Sequence, residues 1–248
     1  VTRIPGAPDL RAALNTAGAV AALNIGLGAG LAVGLLRGDR RLGHELATSL
    51  GFPSFLATAG VRVNVVGEHN LWAQRPAVFV MNHQSGLDAM IAAALLRHGF
   101  SALGKQEAKY SPATFLAGQT LDQVFVDRDD PEKGRAAQEQ LAERLRSGLS
   151  LLVAPEGTRS DTGELGPFKT GAFHVARTEG VPIVPIVLRN AYELMPGKSL
   201  LIRPGVVDVA VLEPIPTAGW TVETVRDDVA AVRKQFVETL KNWPVQSQ

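Results

Sequence analysis

Cysteine is absent from the 248-residue chain, which excludes disulfides, thiolate metal sites and a cysteine nucleophile, and leaves the redox compartment undecided. Neither sign of charge is in excess. Lys plus Arg number 25 against 24 Asp plus Glu, so nothing argues for a nucleic-acid partner, which would call for a basic excess or stripe. The chain has no His-Glu-x-x-His, no P-loop and no Gly-x-Ser-x-Gly elbow, and Gly26-Leu-Gly-Ala-Gly30 lacks the spacing and preceding strand of a dinucleotide fingerprint. No metal or nucleotide cofactor is therefore expected, and a serine lipid hydrolase is disfavoured. Chemistry falls to histidine, carboxylates, arginine and lysine. Of the five histidines, His44, His69, His98 and His174 stand singly and read as surface or packing residues.

What is present begins with a stretch free of charge. No charged residue occurs from Leu14 to Leu36, between Arg11 and the cluster Arg37, Asp39, Arg40 and Arg41. That length suffices to span a bilayer, although Ala and Gly dominate it. Gly18, Ala22, Gly26, Gly30 and Gly34 recur every four residues and on a helix form a side-chain-poor stripe, along which a second helix can approach closely in lipid. Leu46 to Val61 is also uncharged, with Pro53 between Phe52 and Phe55, and is too short to cross comfortably. Residues 1–60 are accordingly expected to form a membrane-associated helical hairpin, with 61–248 as an α/β domain. A cleaved signal peptide is disfavoured because the uncharged run exceeds an ordinary apolar core. The chain opens on Val1, as a piece of a longer polypeptide would.

After Val61, short apolar runs alternate with amphipathic stretches. Val61–Val66, Ala77–Met81, Val124–Val126, Leu151–Val153, Ile183–Leu188 and Val206–Leu212 read as strands, several of them β-branched runs buried on both faces. Pro131–Arg146 carries Ala137, Leu141 and Leu145 at helical spacing, and Val225, Val229, Val232, Phe236 and Leu240 make another apolar stripe. The expected fold class is α/β: a mostly parallel central sheet flanked by helices, with the N-terminal membrane-associated hairpin.

Two polar clusters fall at strand ends, where open α/β sheets bind ligands. The first is Asn82-His-Gln-Ser-Gly-Leu-Asp88. On one regular helix His83 and Asp88 would point about 140° apart, so they meet only if His83 lies in the turn before the helix. Asp88 then fixes the imidazole tautomer and leaves the other ring nitrogen as a base toward an alcohol. Taken alone, the spacing Ser85-x-x-Asp88 favours a helix cap over catalysis. Main-chain amides near Ser85 and the following helix start are candidate oxyanion donors. The second cluster is Ala154-Pro-Glu-Gly-Thr-Arg-Ser160. In it Arg159 supplies a forked donor for phosphate oxygens, Gly157 allows close backbone approach, and Glu156 orients the arginine or contacts substrate. Arg128, after Val124–Asp127, and Lys105 add cationic groups at further strand ends, which makes a phosphate site the economical reading. Surface ion pairing is the alternative.

In order along the chain, the Asn-His-Gln-Ser-x-x-Asp block, the block bearing Arg128, the Pro-Glu-Gly-Thr-Arg-Ser block and Val181-Pro-Ile-Val-Pro185 resemble the four blocks of the glycerolipid acyltransferase family, most specifically its 1-acyl-glycerol-3-phosphate branch. Phe168-Lys169 and Gly171-Ala172-Phe173 resemble the segment after the third block. Asp122, Ala154 and Ala108 depart from the family's commoner residues without removing a chemical group. The resemblance implies His83 as base, Asp88 as its partner, and Arg128, Glu156, Gly157, Thr158 and Arg159 as acceptor-binding residues. It implies transfer of an acyl group from acyl-CoA or acyl-carrier protein to lysophosphatidic acid, making phosphatidic acid at a phospholipid surface, on the cytoplasmic face of the cell membrane. Glycerol 3-phosphate or another lysophospholipid is the alternative acceptor, and a non-catalytic lipid-binding protein is a further one.

Overall fold

The computed structural model describes residues 10–105, 120, 123–126, 131–196 and 199–244. Seven strands, β1 Val61–Val66, β2 Val78–Met81, β3 Phe100–Lys105, β4 Val124–Val126, β5 Ser150–Val153, β6 Ile183–Leu188 and β7 Gly205–Val211, form one sheet in the order β1-β7-β6-β2-β5-β3-β4. Every neighbouring pair is parallel except β6 with β7. The strands from β6 to β4 therefore share one carboxyl edge, and β1 and β7 point the opposite way.

Among the described residues the helices are α1 Leu10–Arg37, α2 Arg40–Ala59, α3 Asn70–Ala73, α4 Leu87–Leu96, α5 Pro131–Arg146, α6 Gly171–Glu179, α7 Ala191–Leu194 and α8 Val225–Lys241. Side-chain alternation along β2 divides the core. Phe79 and Met81 join the cluster beneath α1, α2 and α4, while Val78 and Val80 join the one beneath α5, α6 and α8. Helices on both faces explain why β2, β5 and β6 are buried at every residue and read as continuous apolar runs. The expected stripes are the packed ones: Ala137, Leu141 and Leu145 on α5, and Val225, Val229, Val232 and Phe236 on α8, are buried.

β3 is not among the apolar runs read as strands, although Lys105 was expected at a strand end. Phe-Ser-Ala-Leu-Gly-Lys has little intrinsic strand preference, and its neighbours impose the conformation: Phe100, Ser101 and Ala102 pair with Ser150, Leu151 and Leu152 on one side, and Leu103, Gly104 and Lys105 with Val124, Phe125 and Val126 on the other.

The two N-terminal helices pack as a hairpin. Asp39 caps α2 by accepting from Leu42 N–H at 3.0 Å, and Gly60 closes α2 in the left-handed conformation at φ 69°. α2 begins at Arg40, before the uncharged run, and Pro53 sits inside it without ending it. Gly26, Gly30 and Gly34 are buried against α2, with the Gly26 position 2.7 Å from Gly51 Cα for any added Cβ. Gly18 and Ala22 are only partly covered, and Ala19 and Leu23 are buried in their stead. The reason is geometric. A four-residue step on a 3.6-residue helix drifts by about 40°, so the stripe rotates off the contact over its length.

α1 is long and apolar enough to cross a membrane, and Leu14, Ile25, Leu35 and Leu36 are exposed on it. The hairpin is also part of the main core, since Leu23 and Leu27 of α1 and Phe52 and Phe55 of α2 cluster with residues of the sheet and α4. Ile202 N–H donates to Thr16 Oγ1 at 2.8 Å.

A Cβ on Gly30 would run into the main chain of Ala47, whereas one on Gly28 would meet nothing within 4 Å. Gly30→Ala is accordingly expected to lower stability by about 2–3 kcal/mol through overpacking, and Gly28→Ala to raise it by up to about 1 kcal/mol through helix propensity. Thermal unfolding of the purified protein in detergent reads both signs. Equal shifts would contradict the backbone contact.

Candidate active site

β2 ends at Met81, and the chain turns through residues 82–86 into α4. Asn82, fully buried, fastens this turn to the neighbouring strand: its Nδ2 donates to Leu188 O and its Oδ1 accepts from Leu188 N–H, both at 2.8 Å. The side chain mimics a strand residue and extends the β2–β6 ladder by one step.

His83 follows, outside the helix, as its meeting with Asp88 demanded. Its Nδ1 lies 3.1 Å from Asp88 Oδ2. The same oxygen accepts the main-chain N–H groups of Gln84 and Ser85, each at 2.6 Å. Leu87 N–H in turn donates to Ser85 Oγ at 3.1 Å, so Ser85 and Asp88 form a reciprocal cap. Capping and the His–Asp pair are therefore not alternatives, because one carboxylate oxygen serves both. With Asp88 as acceptor, Nδ1 carries the proton and Nε2 is left as the basic nitrogen. Asp88 is wholly buried, and its other oxygen, Oδ1, has no hydrogen-bond partner among the described residues. Burial pushes its carboxyl above the ordinary range, against the downward pull of His83 and the two N–H donors.

The second cluster leaves the end of β5, which neighbours β2 in the sheet. Gly157 adopts φ 79°, a left-handed value that a side chain would strain, and its N–H returns to Ala154 O at 3.0 Å. Glu156 turns inward: Oε1 accepts His83 N–H and Oε2 accepts Gly166 N–H, each at 2.7 Å. Ser160 N–H donates to His83 O at 2.8 Å, so the two loops are stitched together at the histidine. Burial raises the Glu156 carboxyl, and the Gly166 and His83 amides oppose it.

Thr158 and Arg159 are exposed on the same loop. A methyl at Gly86 would stand 3.6 Å from Arg159 Nη1, 3.3 Å from Met195 Sδ and 3.0 Å from Met195 Cε. The guanidinium thus lies beside Gly86 at the start of α4, in the turn that carries the His–Asp pair, and has no hydrogen-bond or ion-pair partner among the described residues. Lys105 is the last residue of β3, two strands from β2 along the same carboxyl edge. Arg128 lies outside the described residues.

Met195 escaped the sequence reading. It directly follows α7, the short helix after β6, and Ser85 Oγ donates to its carbonyl at 2.7 Å. No local pattern links positions 110 residues apart. The amides considered for an oxyanion are mostly occupied: Gln84 and Ser85 N–H by Asp88, Leu87 N–H by Ser85 Oγ, and Asp88 N–H by Ser85 O. Gly86 N–H alone in this turn has no acceptor among the described residues.

A buried carboxylate holding an imidazole, with a guanidinium at the same turn that is unpaired among the described residues, can deprotonate a hydroxyl while gripping an attached phosphate. Comparison with known proteins gives the family. The family model described as Acyltransferase matches residues 62–189, from β1 to just past β6. The 1-acyl-sn-glycerol-3-phosphate acyltransferase of Saccharomyces cerevisiae is 36% identical over 185 residues, covering 73% of this chain and 61% of that protein. The alpha enzyme of that name from Homo sapiens is 35% identical over 174 residues, covering 70% and 60%. This chain thus spans about three fifths of the length of these relatives. The crystal structure of PlsC from Thermotoga maritima, titled a 1-acyl-sn-glycerophosphate (LPA) acyltransferase, superposes with a TM-score of 0.78 at 27% identity, covering 96% of this chain and 99% of that one.

Proposed function

Because this chain belongs to the Acyltransferase family, we propose that it acylates the free hydroxyl of 1-acyl-sn-glycerol 3-phosphate, using an acyl thioester and producing phosphatidic acid. The observation that carries the reading is the His83–Asp88 pair with Arg159 beside it. His83 Nε2 takes the hydroxyl proton as the oxygen attacks the thioester carbonyl. The tetrahedral intermediate then collapses, the carbon–sulfur bond breaks, and the proton passes from Nε2 to the departing thiolate. The ester product and a free thiol leave, and no acyl-enzyme forms. General-base assistance contributes about a hundred- to ten-thousandfold, and holding the acceptor in place contributes as much or more.

Arg159 grips the acceptor phosphate, with Gly157 and Thr158 on the same loop and Lys105 and Arg128 as further contacts. The donor is acyl-CoA or acyl-carrier protein. The hairpin rests in the membrane with Leu14, Ile25, Leu35 and Leu36 toward lipid, on the cytoplasmic face, where a water-soluble thioester meets a membrane acceptor.

The test is the purified protein in detergent with both thioester donors and a panel of acceptors, reading product regiochemistry. Arg159→Gln is expected to raise KM for the phosphorylated acceptor by about ten- to a hundredfold, the weight of a charged hydrogen bond, with little change for a phosphate-free one. Activity confined to glycerol 3-phosphate would replace the acceptor named here. Activity confined to phosphate-free acceptors would remove the role given to Arg159.

A further inference from the structure

We infer that Glu156 is a positioning residue that holds the main chain of His83, and not a contact to the acceptor, because both its carboxylate oxygens are committed to main-chain N–H groups, Oε1 to His83 and Oε2 to Gly166. The inference rests on the acyl transfer proposed above for its kinetic readout, and it departs from the acceptor-binding role that the family resemblance implies.

The demand on this side chain is specific. Two N–H donors from separate segments converge on it, and only a carboxylate presents two acceptor oxygens and no donor. Glutamine would turn an NH2 against one of the two N–H groups. Aspartate is one methylene shorter and cannot reach both. Glu156 is 8% exposed, so either N–H left unpaired would be desolvated, at a cost that water does not repay.

What is held is the position of the base. Glu156 takes the His83 N–H while Ser160 N–H takes the His83 carbonyl at 2.8 Å, so the residue is bracketed on both sides of its Cα. The direction of the imidazole follows from that backbone. Asp88 constrains the ring from the other end through Nδ1.

The bracket is anchored remotely. Arg233 of α8 donates from Nε to Gly166 O and from Nη2 to Leu165 O, each at 2.8 Å. A continuous line of hydrogen bonds thus runs from the C-terminal helix through the Leu165–Gly166 main chain and Glu156 to His83. The carboxylate is its only charged acceptor, and the burial that raises its pKa is opposed only in part by the two amides it receives.

The experiment uses the full chain in detergent, comparing Glu156→Gln, Gly166→Ala and Arg233→Gln with the parent. Glu156→Gln is expected to lower kcat by about a hundredfold, the effect of a misplacement on the order of 1 Å, with acceptor KM changed by less than about threefold. Gly166→Ala places a Cβ 3.0 Å from Glu156 Oε2, on the side away from His83, and is expected to lower kcat by a smaller factor with KM again unchanged. It carries the test if Glu156→Gln fails to fold. Arg233→Gln should lower kcat in the parent but add nothing on a Glu156→Gln background, since both act through one line.

The second readout needs no turnover: the ring resonances of His83 in carbon-labelled protein, assigned with His83→Ala, should move in Glu156→Gln. A raised acceptor KM with near-parent kcat at saturation, or an unmoved His83 resonance, overturns the inference. If the parent acylates no acceptor in the panel, the proposed function fails, and the resonance alone decides the role of Glu156.

Discussion

His83→Ala is expected to reduce kcat by about ten-thousandfold, toward the upper limit of general-base catalysis, while the melting temperature stays near that of the parent. The two expectations have separate grounds. Of the nitrogens that Asp88 binds among the described residues, only the imidazole is basic, the other two being main-chain amides, so nothing else in the turn can take the hydroxyl proton. Its loss barely disturbs the fold, since the side chain is 21% exposed and its ring makes one bond among the described residues, to Asp88. Asp88 Oδ2 keeps the Gln84 and Ser85 amides when the ring is gone. Steady-state turnover beside a thermal melt reads both quantities. Near-normal transfer in a folded variant would end the mechanism.

For Asp88→Asn the expected loss in kcat is about a thousandfold, again without loss of fold, and stability should respond to pH in a particular direction. The asparagine oxygen can occupy the place of Oδ2 and accept the Gln84 and Ser85 amides, so the start of α4 survives. Its NH2 falls where Oδ1, buried and unpartnered among the described residues, now lies. What disappears is the negative charge that stabilises the imidazolium formed during proton transfer. Burial raises the Asp88 carboxyl above its ordinary range, so the folded state binds that proton more tightly than the unfolded chain does. The stability it contributes is full below the unfolded pKa and is lost as pH rises through the raised folded pKa. At neutral pH the parent bears the cost of the buried charge and the asparagine variant does not. The variant should therefore melt no lower than the parent at neutral pH, with any advantage shrinking as pH falls into the range where Asp88 protonates. A folded variant as active as the parent would make Asp88 a helix cap and nothing more. The double variant should be about as slow as His83→Ala alone, because the two residues act as one unit.

Much of the architecture is legible along the chain because its physical causes are local. Ile183–Leu188 and Val78–Met81 are apolar at every position because helices cover both faces of the sheet, and that shows as an unbroken run. The stripes of α5 and α8 show because 3.6-residue periodicity puts one face against the core. The pairing of His83 with Asp88 follows from five residues of spacing and a strand-to-helix turn.

Other features depend on partners far away in the chain. β3 exists because β4 and β5 flank it, and its own residues argue weakly for a strand. The glycine stripe of α1 marks a close approach, but only the packing decides that Gly26, Gly30 and Gly34 make it while Ala19 and Leu23 replace Gly18 and Ala22. Ser85-x-x-Asp88 left capping and catalysis as rivals, and the fold reconciles them on one oxygen. The direction of Glu156 was undetermined in the same way. Nothing within the Pro-Glu-Gly turn says whether that carboxylate faces a ligand or a buried amide, because its two donors come from residues 73 positions upstream and 10 downstream. The sequence by itself thus determined which groups stand at the strand ends. Tertiary structure alone decided which of them face each other, since a hydrogen bond between distant segments leaves no periodicity to read.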